Sequence, residues 1–324
     1  MVAVATQTFH ATFRPPSATP TTKQRAVTPV IITPEREKAI IQAAEAALSP
    51  TCRQTFDAFL VLDVEATCYQ GSGFDFPSEI IEWPVVLLKW SDRDRKGFAS
   101  KLEIAGQFRS FVKPTWRPTL SGFCTQLTGI TQAQVDHAPT FPRVLSQFST
   151  FLAQHGLIKP KTGERLVRFC WCTDGPFDIR DFVVKQCFIS NIRMPYWLQG
   201  DVMDVRQVVS DWSNPTPRGP HQRFLRRQSP NITMQLRLLE LAEFQGRQHS
   251  GIDDTRNIAR IVIELARRGV RLQPNTAIRP DRRWYWMGRY GEIIEDYFPP
   301  APTVVTPAVV APTPVGPAMA VAAS

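Results

Sequence analysis

From Phe56 onward, short apolar runs alternate with amphipathic stretches. Phe59-Leu60-Val61-Leu62 is an apolar run that ends in Asp63-Val64-Glu65. An apolar run of that length bounded by polar residues predicts a buried strand. Ile80 to Trp90 predicts a second strand, nearly all apolar after Glu82. Pro84 inside it predicts a bulge or an edge position. Phe108 to Val112 predicts a third. Two simple connections make these three an antiparallel meander. In Phe141 to His155, apolar side chains recur at Val144, Leu145, Phe148, Phe151 and Leu152, which is helical spacing. Val167 to Cys172 follows as a strand, Phe177 to Ser190 as a helix, and Val202 to Val209 as a fifth strand or a short helix. Ile232 to Phe244 and Asp254 to Arg268 predict two more helices. Strands followed by strand–helix alternation give an α/β fold, a mixed five-stranded sheet flanked by helices.

The ends differ from this middle. Residues 1–34 lack Asp and Glu and are rich in Thr, Ala and Pro. That composition suits a disordered tail or a mitochondrial transit peptide. Pro15, Pro16 and Pro20 oppose a long amphipathic helix and favour the tail. A short helix is expected near 35–48, too short to be an added nucleic-acid module. The expected organisation is a tail with that helix over 1–50, a main domain over 55–272, an extension over 273–298 and a low-complexity Pro/Ala/Val tail over 299–324. The extension carries Trp284, Tyr285, Trp286, Tyr290, Tyr297 and Phe298 among Arg279, Arg282, Arg283 and Arg289. Such a mixture suits base stacking. The commoner outcome is packing back on the chain's own domain.

Charge and cysteines narrow the classes. A formal net charge of +9 suits a polyanionic partner. Six cysteines occur without a C-x-x-C pair, which excludes a simple zinc ribbon and predicts reduced thiols in an intracellular protein of the cytoplasm or nucleus. No apolar run approaches the roughly 20 residues that span a bilayer.

The candidate chemistry starts at Asp63 and Glu65. Strand side chains alternate, so both point one way. Two carboxylates together at the end of a buried strand are costly unless a cation or a proton offsets them; the usual offset is a divalent metal, and oxygen ligands favour a hard ion such as Mg²⁺ or Mn²⁺. Downstream come Thr173-Asp174-Gly175, then His249 and Asp254 within QHSGIDDTRNIARI. D-x-E, a distant Asp at a strand end, and His-x4-Asp at a helix start resemble the DEDDh 3′→5′ exonucleases. DVEATC, EIIEWPVVLL, LSGFCTQLTGITQAQVDHAPTFPRVL, TDGPFDIRDF and HSGIDDTRNIARI are similar to its branch called enhancer-of-RNA-interference, or 3′ histone messenger RNA exonuclease.

The resemblance implies a ribonuclease-H-like (DnaQ-like) fold and a metal-dependent 3′→5′ exoribonuclease that releases 5′-mononucleotides. Two ions held by Asp63, Glu65, Asp174 and Asp254 would activate a water and stabilise the leaving oxygen. His249 is the expected general base, since an unperturbed imidazole titrates at about 6.5. Glu65 is expected to help hold the water. The family spacing selects Asp254 as ligand and leaves Asp253 to cap the helix. The resemblance also assigns Ala66, Thr67, Phe123, Leu127 and Thr128 to the substrate's 3′ end. Arg218, Arg223, Arg226 and Arg227 lie in an acid-free stretch suited to tracking phosphates. The implied partner is RNA with an accessible 3′ end: small interfering duplexes, histone messenger stem-loops or ribosomal RNA ends. A DNA-directed relative and a catalytically silent RNA-binding scaffold are the alternatives.

Overall fold

The computed structural model describes residues 34–35, 50–214 and 229–298. The chain divides into two compact units, Met1–Leu48 and Ser49–Ser324. Of the helix expected near 35–48, only Glu35 is described, and it is helical together with Pro34 before it.

The strands of the second unit are β1 (Cys52–Arg53), β2 (Ala58–Leu62), β3 (Glu65–Ala66), β4 (Ile80–Trp90), β5 (Phe98–Ala99), β6 (Leu102–Phe111), β7 (Phe169–Thr173) and β8 (Val202–Asp204). β2 runs antiparallel to β4, which runs antiparallel to β6; β7 and β8 add on the other side of β2, both parallel. Among the described residues the main sheet has six strands rather than five, because Glu65–Ala66 resumes pairing with β4 after a two-residue break. β1 and β5 form a separate ribbon that no periodicity announced.

Alternation on β2 explains the fold's three layers. Leu60 and Leu62 face a core shared with Val144, Leu145, Phe148 and Leu152 of α3 (Phe141–Gln154), whereas Phe59 and Val61 face Ile258, Ile261, Val262 and Leu265 of α7 (Gly251–Arg267). A strand buried on both faces must be apolar at every position, as β2 is. β4 is interior, so Pro84 is not at an edge. It lies one residue past the last β2 pair, Leu62 with Val85, where that ladder has stopped. The irregularity of β4 falls instead between Leu87 and Leu88.

Other elements shift for local reasons. β6 is longer than expected because its outer face is polar and solvated, which hides the alternation. The segment from Phe177 opens as a π-helix, Asp178–Val183, and continues as α4 (Val184–Ile189). Val202 to Val209 is both things predicted, since β8 runs directly into α5 (Val205–Ser213). α6 (Ile232–Leu238) stops six residues early, where Glu240 takes φ +57° and Leu241 donates back to the Leu236 carbonyl (2.9 Å). That closure turns Leu241 into the core beneath α7. Two short helices, α1 (Gly122–Thr128) and α2 (Gln132–Asp136), were not foreseen; their caps are Ser121 and Thr131.

The aromatic extension packs back. Trp284, Trp286 and Met287 enter the first core, and Trp286 is fully buried. Its indole N–H donates to the Asp75 carbonyl. Glu295 binds Trp116 and Arg117, and Phe298 meets Phe76 and Trp116 edge-on.

Candidate active site

The break between β2 and β3 builds the site. The β2–β4 register continues across it to pair Glu65 with Glu82, so Asp63 and Glu65 keep the period of two and share a face. Within the break, the Val64 amide donates to Asp178 Oδ1 (2.8 Å) instead of to a neighbouring strand. Asp254 arrives from the first turn of α7. Ser250 caps that helix, its carbonyl accepting the amides of Asp253 (2.8 Å) and Asp254 (2.9 Å). One carboxylate oxygen from each of Asp63, Glu65 and Asp254 lies within 4.8 Å of the others.

So close a set cannot stay charged unaided. Burial first, then the charges of Asp178, Asp254 and Glu65, push the Asp63 carboxyl well above its usual range. Burial and Asp254 do the same to Glu65. Burial raises Asp254 to about 7, although the amides of His249 and Ser250 oppose it. Buried Asp178 is likewise raised to about 7, with the Val64 amide opposing. Asp254 Oδ2 is buried with no hydrogen-bond partner among the described residues. An all-oxygen donor set, partly buried and carrying an unpartnered oxygen, fits a hard divalent cation.

Asp174 sits just past β7 but is otherwise engaged. It pairs with Arg206 of α5 and accepts from Gln235 Nε2 of α6 (2.6 Å). It is not in the group of three, yet its charge reaches both Asp63 and Asp254. His249 is exposed on the loop entering α7, with φ +61°, a conformation costly for a non-glycine residue. Asp253 does not cap α7; that position belongs to Ser250. Its carboxylate instead accepts the Arg247 amide (3.1 Å) and meets Arg256.

The predicted substrate residues gather on one flank. Ser121, the cap of α1, donates to the Cys68 carbonyl (2.6 Å), and Cys124 reaches the Ala66 carbonyl (3.7 Å). Phe123 is exposed and Leu127 half-buried. The hydroxyls of Thr67 and Thr128 are used internally: Thr67 accepts from the Glu79 amide (2.9 Å), and Thr128 donates to the Cys124 carbonyl (2.9 Å). Arg218, Arg223, Arg226 and Arg227 lie outside the described residues.

Sequence reasoning missed the supports. Asp178 was detectable as an acid one helical turn after Asp174. Glu82 is almost fully buried beside Gly251, with Arg109 bound at 2.6 Å. Arg247 ties the His249 loop to α1 by donating to the carbonyls of Gln126 (2.8 Å) and Leu127 (2.9 Å). No local pattern marks these partners, because they lie 27 residues apart for Arg109 and Glu82 and more than a hundred apart for Val64 with Asp178 and Arg247 with Gln126.

With that geometry in view, comparisons with known proteins agree. The exonuclease family profile RNase_T matches residues 60–187. The 3′-5′ exonuclease eri1 of Schizosaccharomyces pombe is 33% identical over 255 residues, covering 74% of this chain and 76% of that protein. Human 3′-5′ exoribonuclease 1 is 34% identical over 222 residues, covering 68% of this chain; the chain spans only 55% of that relative's length. Among solved structures, the nuclease domain of 3′hExo, a DEDDh family member bound to rAMP, is 32% identical over 70% of this chain and all of its own, with a TM-score of 0.57. A structure describing recognition of the histone mRNA stem-loop by a 3′-exonuclease is 29% identical and covers 76% of this chain and 75% of its own, at a TM-score of 0.59. Shared sequence, shared fold and a carboxylate cluster at the end of β2 place the chain in the DEDDh exonuclease family, among the ERI1-type 3′-5′ exoribonucleases.

Proposed function

We propose that this chain is a 3′→5′ exoribonuclease that removes 5′-mononucleotides from RNA 3′ ends with the help of two Mg²⁺ or Mn²⁺ ions. The observation that carries the reading is the convergence of Asp63, Glu65 and Asp254 on one point, with the charge of Asp174 beside them. Asp63, Glu65, Asp254 and Asp174 would hold the ions. When bound, the ions would supply an activated water and a counter-charge for the leaving oxygen. Glu65 orients the water, and His249 takes its proton. Asp178 holds the Val64 amide and so fixes the backbone between the first two ligands. Ala66, Thr67, Phe123, Leu127 and Thr128 form the 3′-end pocket, with Thr67 and Thr128 acting through backbone and shape. Arg218, Arg223, Arg226 and Arg227 contact phosphates further along.

The organisation we propose is a catalytic domain over 55–272 braced by 273–298, with tails at 1–50 and 299–324. The substrates we infer are structured RNAs with short 3′ overhangs; one similar solved exonuclease recognises the 3′ end of a histone mRNA stem-loop. All six cysteines are free thiols, which fits an intracellular setting, cytoplasmic or nuclear. No helix among the described residues is long and apolar enough to cross a membrane. RNA and DNA oligomers of one sequence, incubated with the protein and Mg²⁺, test the substrate class. Shortening of the RNA alone is expected. Equal or preferred shortening of the DNA would replace this reading with a DNA-directed one, and retention of RNA without shortening would replace it with a binding scaffold.

A further inference from the structure

At the opposite pole of the sheet from the carboxylates, four chain segments converge on a cavity of about 440 Å³. Arg53 comes from β1, Arg93, Arg95 and Lys96 from the turn before β5, Arg168 from the residue before β7, and Arg271 from just beyond α7. Arg168 precedes the first residue of β7 and Asp174 follows the last. The two sites are therefore separated by the length of a five-residue strand, roughly 17 Å.

The turn is rigidly built. Asp94 Oδ1 accepts the amides of Lys96 (2.9 Å) and Phe98 (2.8 Å), and Gly97, at φ +89°, accepts the Gln54 amide on its carbonyl (2.8 Å). The neighbouring acids are thereby consumed. Asp94 and Asp92 serve backbone amides, and Asp57 binds Arg93 and the Arg168 amide (2.9 Å). Arg53, Arg95, Lys96, Arg168 and Arg271 form no ion pair with a described residue. Five cations held around one concavity repel one another, and an anion spanning several of them relieves that repulsion.

We propose that this cavity is a second binding site for the phosphate backbone of the RNA, remote from the carboxylates. It rests on the reading that RNA is the substrate. An RNA long enough to reach both poles is held by these charges as well; a shorter one is not. Remote interactions of this kind add binding without touching the reacting bond.

The test is binding in chelator, where no hydrolysis occurs, read by fluorescence anisotropy across a salt series. Arg53→Gln/Arg168→Gln/Arg271→Gln is compared with wild type on RNAs of about 6 and about 30 nucleotides. Each phosphate that the protein no longer neutralises should reduce the slope of log affinity against log salt by about 0.7 to 0.9. The triple variant should therefore show a slope shallower by about 2 on the long RNA and unchanged on the short one. Arg95→Glu/Lys96→Glu, both at the exposed turn tip, should weaken the long RNA in the same direction without disturbing the fold. An unchanged slope on the long RNA in both variants overturns the proposal. So does an equal reduction on both lengths. Wild-type protein that binds long RNA through this cavity yet shortens none in Mg²⁺ would refute the enzyme reading and leave the cavity standing. Normal shortening with unchanged slopes would do the reverse.

Discussion

Gly251 opens α7 beneath the carboxylates, and replacing it with Ala tests how tightly that junction is built. A Cβ there would come within 2.8 Å of the Asp63 carbonyl oxygen and 3.1 Å of both Glu82 Oε2 and Pro84 Cγ. Ordinary C···O contacts lie at about 3.3–3.6 Å. The start of α7 and the end of β2 must therefore separate by about 0.5 Å. Overpacking of this kind costs about 1–3 kcal/mol. Ala returns at most about 1 kcal/mol through helix propensity. The net loss is about 1 kcal/mol, a fall of a few degrees in Tm for a chain of this size. The larger effect is on the site, because Asp63 and Asp254 sit on opposite sides of the wedge. Metal sites tolerate about 0.5 Å before function suffers, and an ångström costs about a hundredfold. Gly251→Ala should lower single-turnover hydrolysis by about 10- to 100-fold and weaken the rise in Tm on adding Mg²⁺. Thermal unfolding with and without Mg²⁺, beside the turnover assay, measures both. A variant more stable than wild type with full activity would refute the packing described here.

Three further outcomes follow from the same geometry. Asp63→Ala should abolish turnover while the protein stays folded by circular dichroism; unchanged activity would sink the ligand assignment. Asp178 and Asp254 are raised to about 7 in the folded protein, against about 3.9 for an unfolded Asp. The folded state thus holds more protons, so metal-free stability should fall as pH rises from about 4 through about 7, and Mg²⁺ should reverse the fall. Chelated melts at pH 5 and pH 8 check this, and an Asp254→Asn profile no flatter than wild type would contradict it. Trp286→Ala should cost about 3–5 kcal/mol in urea denaturation, since the fully buried ring leaves a cavity; a loss below about 1 kcal/mol would show that the extension is not part of the core.

Much of this molecule was legible before its fold was known, for physical reasons. β4 spans Ile80–Trp90 as read, and α3 ends one residue short of the expected His155, because long periodic apolar segments state their own geometry. That Asp63 and Glu65 share a face followed from the strand period of two, whereas Asp254 joined them only through the family resemblance, because no local period links a strand end to a distant helix start. The π-helix at Asp178 and the early stop of α6 at Glu240 depend on distant partners and left no local trace. The same holds for the Arg206–Asp174 pair, which joins residues 32 apart. The basic cavity was invisible for a similar reason: its cations come from four separate segments, and only folding brings them together.

The most direct measurement uses a 5′-labelled stem-loop RNA with a short single-stranded 3′ tail, incubated with the purified protein in Mg²⁺ or in chelator. The account predicts a ladder that shortens from the 3′ end in Mg²⁺, releases 5′-mononucleotides and vanishes in chelator. Internal cleavage, release of nucleotides from the labelled end, or shortening that persists in chelator would contradict it.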